Sequence, residues 1–75
     1  MGRLLDRLLT RSEAHDVEVE GDGYMLVARP GQGDGFNALV REAAARSGED
    51  FVVFTTPDRP HVYSRMFVLP LPPMA

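Results

Sequence analysis

The chain has 75 residues, a formal net charge of −3 and no cysteine. The missing cysteine excludes disulfides and every thiolate metal site, and so mild a charge excludes nucleic-acid recognition by bulk electrostatics. No apolar run reaches the ~18 residues that cross a bilayer, so a transmembrane helix is excluded too.

This length makes a single domain that buries only about 60% of its unfolded surface. Small scaffolds of this kind are usually supported by disulfides, structural metals or self-association. Without disulfides or thiolate metal sites, the support left is unusually good packing or self-association, and the expectation is the second, a homo-oligomer and most simply a dimer. All eight basic residues are arginine, and lysine and isoleucine are both absent. A GC-rich coding sequence explains that pair of absences and points to a bacterial or phage source. Asp6 and Arg7 interrupt the N-terminal apolar stretch before a signal-peptide core of about 7–15 residues can form. The expectation is a soluble, cytoplasmic protein.

The first predicted element is a helix from Arg3 to Ala14. Leu4, Leu5, Leu8 and Leu9 share one face, and Arg3, Arg7 and Arg11 form a stripe because each four-residue step advances only about 40° around the axis. Asp16 to Glu20 alternates acid with valine, which predicts a strand with Val17 and Val19 towards the core and Asp16, Glu18 and Glu20 towards water. Gly21-Asp22-Gly23 suits a tight turn, and Tyr24 to Arg29 returns as a second strand.

Pro30 and the glycines at 31, 33 and 35 read as a flexible connection. Asp34 is then the expected cap of a second helix, whose apolar stripe is Phe36, Leu39, Val40, Ala43, Ala44 and Ser47. Glu42 and Arg46 are spaced to pair on its outer surface, and Gly48 supplies a left-handed stop. Phe51 to Thr55 reads as a strand, Thr56 to Pro60 as turn chemistry, and His61 to Leu69 as the last strand. Pro70, Pro72 and Pro73 predict an extended tail.

Leu4–Ser12 aligns without gaps on Leu39–Ser47 at an offset of 35 residues, ending in Arg-Ser both times. Each stretch precedes a predicted hairpin, so the chain reads as one helix–hairpin unit used twice. The expected fold is α+β in the order αββαββ, a four-stranded antiparallel sheet with both helices on one face. The domain then divides into a first unit (1–29), a glycine-rich linker (30–35), a second unit (36–69) and a proline-rich tail (70–75).

Several motifs are better explained without special chemistry. The glycine-rich loop lacks the residues of a phosphate loop, and Asp34 would repel a phosphate. Asp16 to Asp22 mimics the start of a calcium loop, but Val27 stands where a bidentate glutamate is required. Leu5 to Leu9 matches LxxLL, yet these leucines are needed for the core. The arginine stripe, interrupted by Asp6, is a solvated face. Pro-Leu-Pro-Pro near the end has no basic neighbour to make it a ligand for proline-reading domains.

No nucleophile, base and acid share a recognisable spacing, so the chain reads as non-enzymatic, with no cofactor and no metal. His15 is expected at the surface of a helix–strand junction. His61, Tyr63, Arg65 and Phe67 alternate along the last predicted strand and are expected on one face. They are the candidate binding residues, as an interface or as a ligand site. Helices on one side of the sheet leave the other uncovered, with acids from the first strand and apolar residues from the other three. Such a patch marks a protein contact.

The leading expectation is therefore an interaction module that self-associates through its sheet face and last strand. An alternative is binding of a small ligand or anion through His61, Tyr63 and Arg65, on the sheet face or in a dimer cleft. A third reading, single-stranded nucleic acid stacked on Tyr63 and Phe67, is opposed by the acidic row on the same sheet.

Overall fold

The computed structural model describes residues 3–60 and 62–72. Six elements follow in the order α1 (Arg3–Leu9), β1 (His15–Glu20), β2 (Gly23–Ala28), α2 (Gly33–Ala45), β3 (Phe51–Phe54) and β4 (Arg65–Pro70). The strands form one antiparallel sheet in the order β1-β2-β4-β3. The fold is α+β, as the period of the apolar residues requires. The core joins Leu4 and Leu8 of α1 and Phe36, Leu39, Val40 and Ala43 of α2 to Leu26, Phe51, Met66 and Val68 of the sheet.

The helix–hairpin repeat is visible as an approximate two-fold relation about the central β2–β4 pair. The first residue of each outer strand pairs with the last residue of its hairpin partner, His15 with Ala28 and Phe51 with Pro70. The turn before each outer strand closes in the same way: Ser12 N–H donates to the His15 carbonyl at 3.0 Å and Gly48 N–H to the Phe51 carbonyl at 2.6 Å. Beyond each inner strand, Arg29 N–H reaches the Ala14 carbonyl and Leu71 N–H the Asp50 carbonyl.

The two units differ in length where local hydrogen bonds intervene. Helix α1 ends at Leu9 rather than Ala14, because the Thr10 hydroxyl donates to the Asp6 carbonyl at 2.7 Å and Ser12 Oγ accepts from Ala14 N–H. Side-chain bonds of this type offer the backbone an alternative to continuing the helix. The last strand begins at Arg65 rather than His61. Residues ahead of it form a small loop closed by Asp58 N–H to the Val62 carbonyl and Val62 N–H to the Arg59 carbonyl. Tyr63 N–H then donates to Asn37 Oδ1 on α2 at 2.9 Å, tying the loop to the helix.

Helix α2 starts three residues into the expected linker, at Gly33. Its cap is Gln32, without a side-chain bond, and Asp34 sits in the first turn, where its charge complements the helix dipole. Gly31 supplies the positive φ of 80° that turns the chain from β2 into α2, and Gly48 the φ of 104° after its end. The buried stripe is narrower than the sequence suggests, since Ala44 and Ser47 are exposed. Arg46 pairs with Glu49 at 2.9 Å rather than with Glu42. Glu42 instead meets Arg7 of α1 at 3.3 Å. Val19, expected in the core, is 77% exposed: burial falls steadily along β1 as the strand runs out from beneath the helices.

Gly23 is the one position in the sheet where a side chain has no room. A Cβ there would stand 2.5 Å from the Val68 carbonyl oxygen and 2.7 Å from Phe67 Cζ. Gly23→Ala should cost about 1–3 kcal/mol in urea denaturation, as overpacking does. Gly33→Ala, with nothing within 4 Å, should stay within about 1 kcal/mol of the parent. Leu39→Ala should cost about 2–5 kcal/mol, and exposed Arg41→Ala less than about 0.5 kcal/mol. Equal losses at positions 39 and 41 would mean the wrong face of α2 had been placed inward.

Candidate functional site

Alternation along each strand divides the sheet between two environments. His15, Val17, Leu26, Ala28, Met66, Val68, Phe51 and Val53 lie towards the helices. The opposite face carries Asp16, Glu18 and Glu20 from β1, Met25 and Val27 from β2, Arg65, Phe67 and Leu69 from β4, and Val52 and Phe54 from β3. Registers set the rows on it. Glu18, Met25, Phe67 and Phe54 form one row across all four strands. Asp16, Val27 and Arg65 form the next, and Leu69 stands beside Val52.

Phe54 is 59% exposed. Its ring centroid lies 6.0 Å from that of Phe67 at a 40° tilt, a separation typical of interacting aromatic pairs. Two shallow grooves flank the Met25–Phe67 row. One, of about 350 Å³, is bordered by Phe54, Thr55, Asp58 and Arg65. The other, of about 540 Å³, is bordered by Glu18, Glu20, Val27 and Arg65. Met25 and Arg65 line both.

The charges on this face are of two kinds. Asp16 is held within the chain, 3.5 Å from Arg11 Nε and 4.0 Å from Arg29 Nε. Glu18, Glu20 and Arg65 make no ion pair among the described residues.

The four candidate binding residues do not form the continuous row that alternation predicts. Arg65 and Phe67 share the outer face as expected. Tyr63 lies ahead of the strand and packs against the core, because the loop is drawn onto α2 by Asn37. His61 lies outside the described residues. The apolar members Met25, Val27, Val52, Phe54 and Leu69 complete the face, and the uncovered side of a four-stranded sheet was the signal for them.

His15 is buried, with 1% of its surface exposed, rather than at the surface. Its Nε2 lies 2.9 Å from the Leu8 carbonyl and its Nδ1 3.0 Å from Ser12 Oγ. A carbonyl only accepts, so Nε2 carries a proton and donates to Leu8, while Nδ1 shares a hydrogen bond with the Ser12 hydroxyl. The imidazole thus joins the end of α1 to the start of β1, with its ring 6.3 Å from that of Phe36. The sequence held a signal for this, since His15, Val17 and Val19 fall in one alternating register.

A cleft of about 510 Å³ opens between the helices, walled by Ala14, His15, Gly35, Ala38 and Leu39. At its edge Arg7 and Glu42 neutralise one another, and both ring nitrogens of His15 are engaged. Asp6 also lines the cleft, and its carboxylate has no ion pair among the described residues, but no buried side-chain polar atom lacks a partner there. Elsewhere, hydrogen bonding to Glu49 raises the pKa of Arg46 above its ordinary value.

His15→Ala should cost about 2–4 kcal/mol, combining a cavity with an orphaned Leu8 carbonyl. His15→Phe, matching Phe51 at the equivalent position, should cost less because packing is kept. Denaturation midpoints measure both, and a change below about 0.5 kcal/mol for the alanine variant would return His15 to the surface.

Comparison with known protein families, curated proteins and solved structures finds no match for this chain, so the chemistry of the face rests on its own residues.

Proposed function

We propose that the chain is a small non-enzymatic interaction module that self-associates through the outer face of its sheet, with β4 at the centre of the contact. The observation that carries this reading is the apolar outer face, on which Phe54 is exposed and Met25, Val27, Val52, Phe67 and Leu69 are half-buried. An apolar patch of this kind on a small domain gains free energy by leaving water.

The strand edges are less suited to the purpose. On β3 the Phe51 carbonyl accepts from Gly48 N–H and Val53 N–H donates to Ser47 Oγ. On β1 the His15 carbonyl accepts from Ser12 N–H, and acids line the rest. Turns and charges that occupy an edge discourage strand addition, which leaves the face as the surface for contact. Tyr63 packs against the core while Arg65 is exposed, which favours the contact reading over a ligand site built on both.

Sedimentation equilibrium tests the proposal. At about 100 μM, where even weak micromolar complexes assemble, the mass should be twice the 8.3 kDa of the chain. Phe67→Ala should weaken the dimer about tenfold or more, and Arg65→Ala less, since aromatic anchors carry more binding energy than partly solvated charges. A monomer at that concentration would sink the reading.

A further inference from the structure

Resting on self-association, we infer that two copies meet as an isologous two-fold pair in which Arg65 of each lies against Glu18 of the other. The basis is the uneven charge of the outer face. The carboxylates of its strands all stand on β1 and its guanidinium on β4; Asp58 borders the groove beside Arg65 from the loop after β3, and neither Glu18 nor Arg65 has an ionic partner among the described residues. They do not pair within one chain, although both border the groove over Val27. The registers place them two strand spacings and two residues apart, about 10 Å across the sheet and about 7 Å along it.

Symmetry turns that separation into a docking rule. In a two-fold interface every contact occurs twice, i against j and j against i. The axis that lays Glu18 on the partner's Arg65 bisects the line between them, passing over β2 between Met25 and Val27. The row of Met25 and Phe67 then folds onto its own copy. Strands of the two sheets cross at roughly 70°, close to orthogonal sheet packing.

The simpler axes conflict with the charges. An axis parallel to the strands through the centre of the sheet sets the carboxylates of β1 over Val52 and Phe54, and desolvating an unpaired carboxylate is costly. An axis in the sheet plane and across the strands stacks β1 on β1, acid against acid. Of these three, the diagonal axis alone gives Glu18 a cation and the apolar row an apolar partner.

Charge reversal tests the pairing. Arg65→Glu and Glu18→Arg should each weaken their own homodimer at least tenfold, because each places like charges together twice. Mixed, the two variants satisfy both reciprocal contacts, so the heterodimer should be at least tenfold tighter than either homodimer. Recovery on mixing also shows that both variants fold. Carrying both substitutions in one chain should return the dissociation constant to within about threefold of the parent.

Phe54→Asp separates this inference from the reading beneath it. If that variant breaks the dimer while mixing gives no gain and the double variant stays as weak as the single ones, the face is the interface and the pairing is wrong. If Phe54→Asp leaves the dimer intact, or the parent chain is a monomer, the face reading fails and the pairing with it.

Discussion

The pairing of β2 with β4 is the contact on which the rest of the structure depends. It joins the two halves of the chain through four registered positions from Tyr24–Val68 to Val27–Arg65. Each half alone is a helix on a two-stranded hairpin, which is marginal in water. Because side chains alternate with a period of two, a slip of one residue would send Leu26, Met66 and Val68 outward and Met25 and Phe67 inward. Gly23 guards the register at one end, where the Val68 carbonyl and the Phe67 ring pass too close for any side chain.

Around that suture the two halves solve the same problem with different chemistry. Each must fill the space under its helix at the head of an outer strand. The second half uses Phe51, and the first uses His15, both almost fully buried. Phenylalanine needs only apolar neighbours. Imidazole carries two polar atoms into the core and is tolerable there because the Leu8 carbonyl and the Ser12 hydroxyl receive both. An unsatisfied ring nitrogen would cost about as much as a buried hydrogen bond contributes, or more. Shortening α1 at Leu9 is what places that carbonyl within reach.

Two helices can cover one face of a four-stranded sheet and no more. The other face of this sheet divides by strand: β1 carries three carboxylates, while β2, β4 and β3 carry apolar residues, with Arg65 on β4. A surface meant only for solvent would show alternating polar residues on every strand. The concentration of Phe54, Phe67, Met25 and Leu69 on three neighbouring strands is the feature that distinguishes this domain from a plain scaffold, and it supports the proposed contact.

The fold class, the order of elements and the burial of Phe36, Leu39 and Val40 were determined by the sequence alone, because hydrophobic period is a local property and survives without knowledge of the partner. The helix–hairpin repeat and the uncovered apolar face were legible for the same reason. Tertiary structure decided what depends on contacts between distant residues. Asn37 draws Tyr63 onto α2 and so delays the last strand to Arg65, which divides the row that alternation predicted. Leu8 and Ser12 make a buried site for His15, which its polarity alone would place outside. Glu42 chooses Arg7 over Arg46 because α1 lies alongside. The strand order, and with it the juxtaposition of Met25, Phe67 and Phe54 in one row, follows from the pairing of β2 with β4 across residues 29–64 of intervening chain. No local period encodes that choice, since it is made by the whole sheet at once.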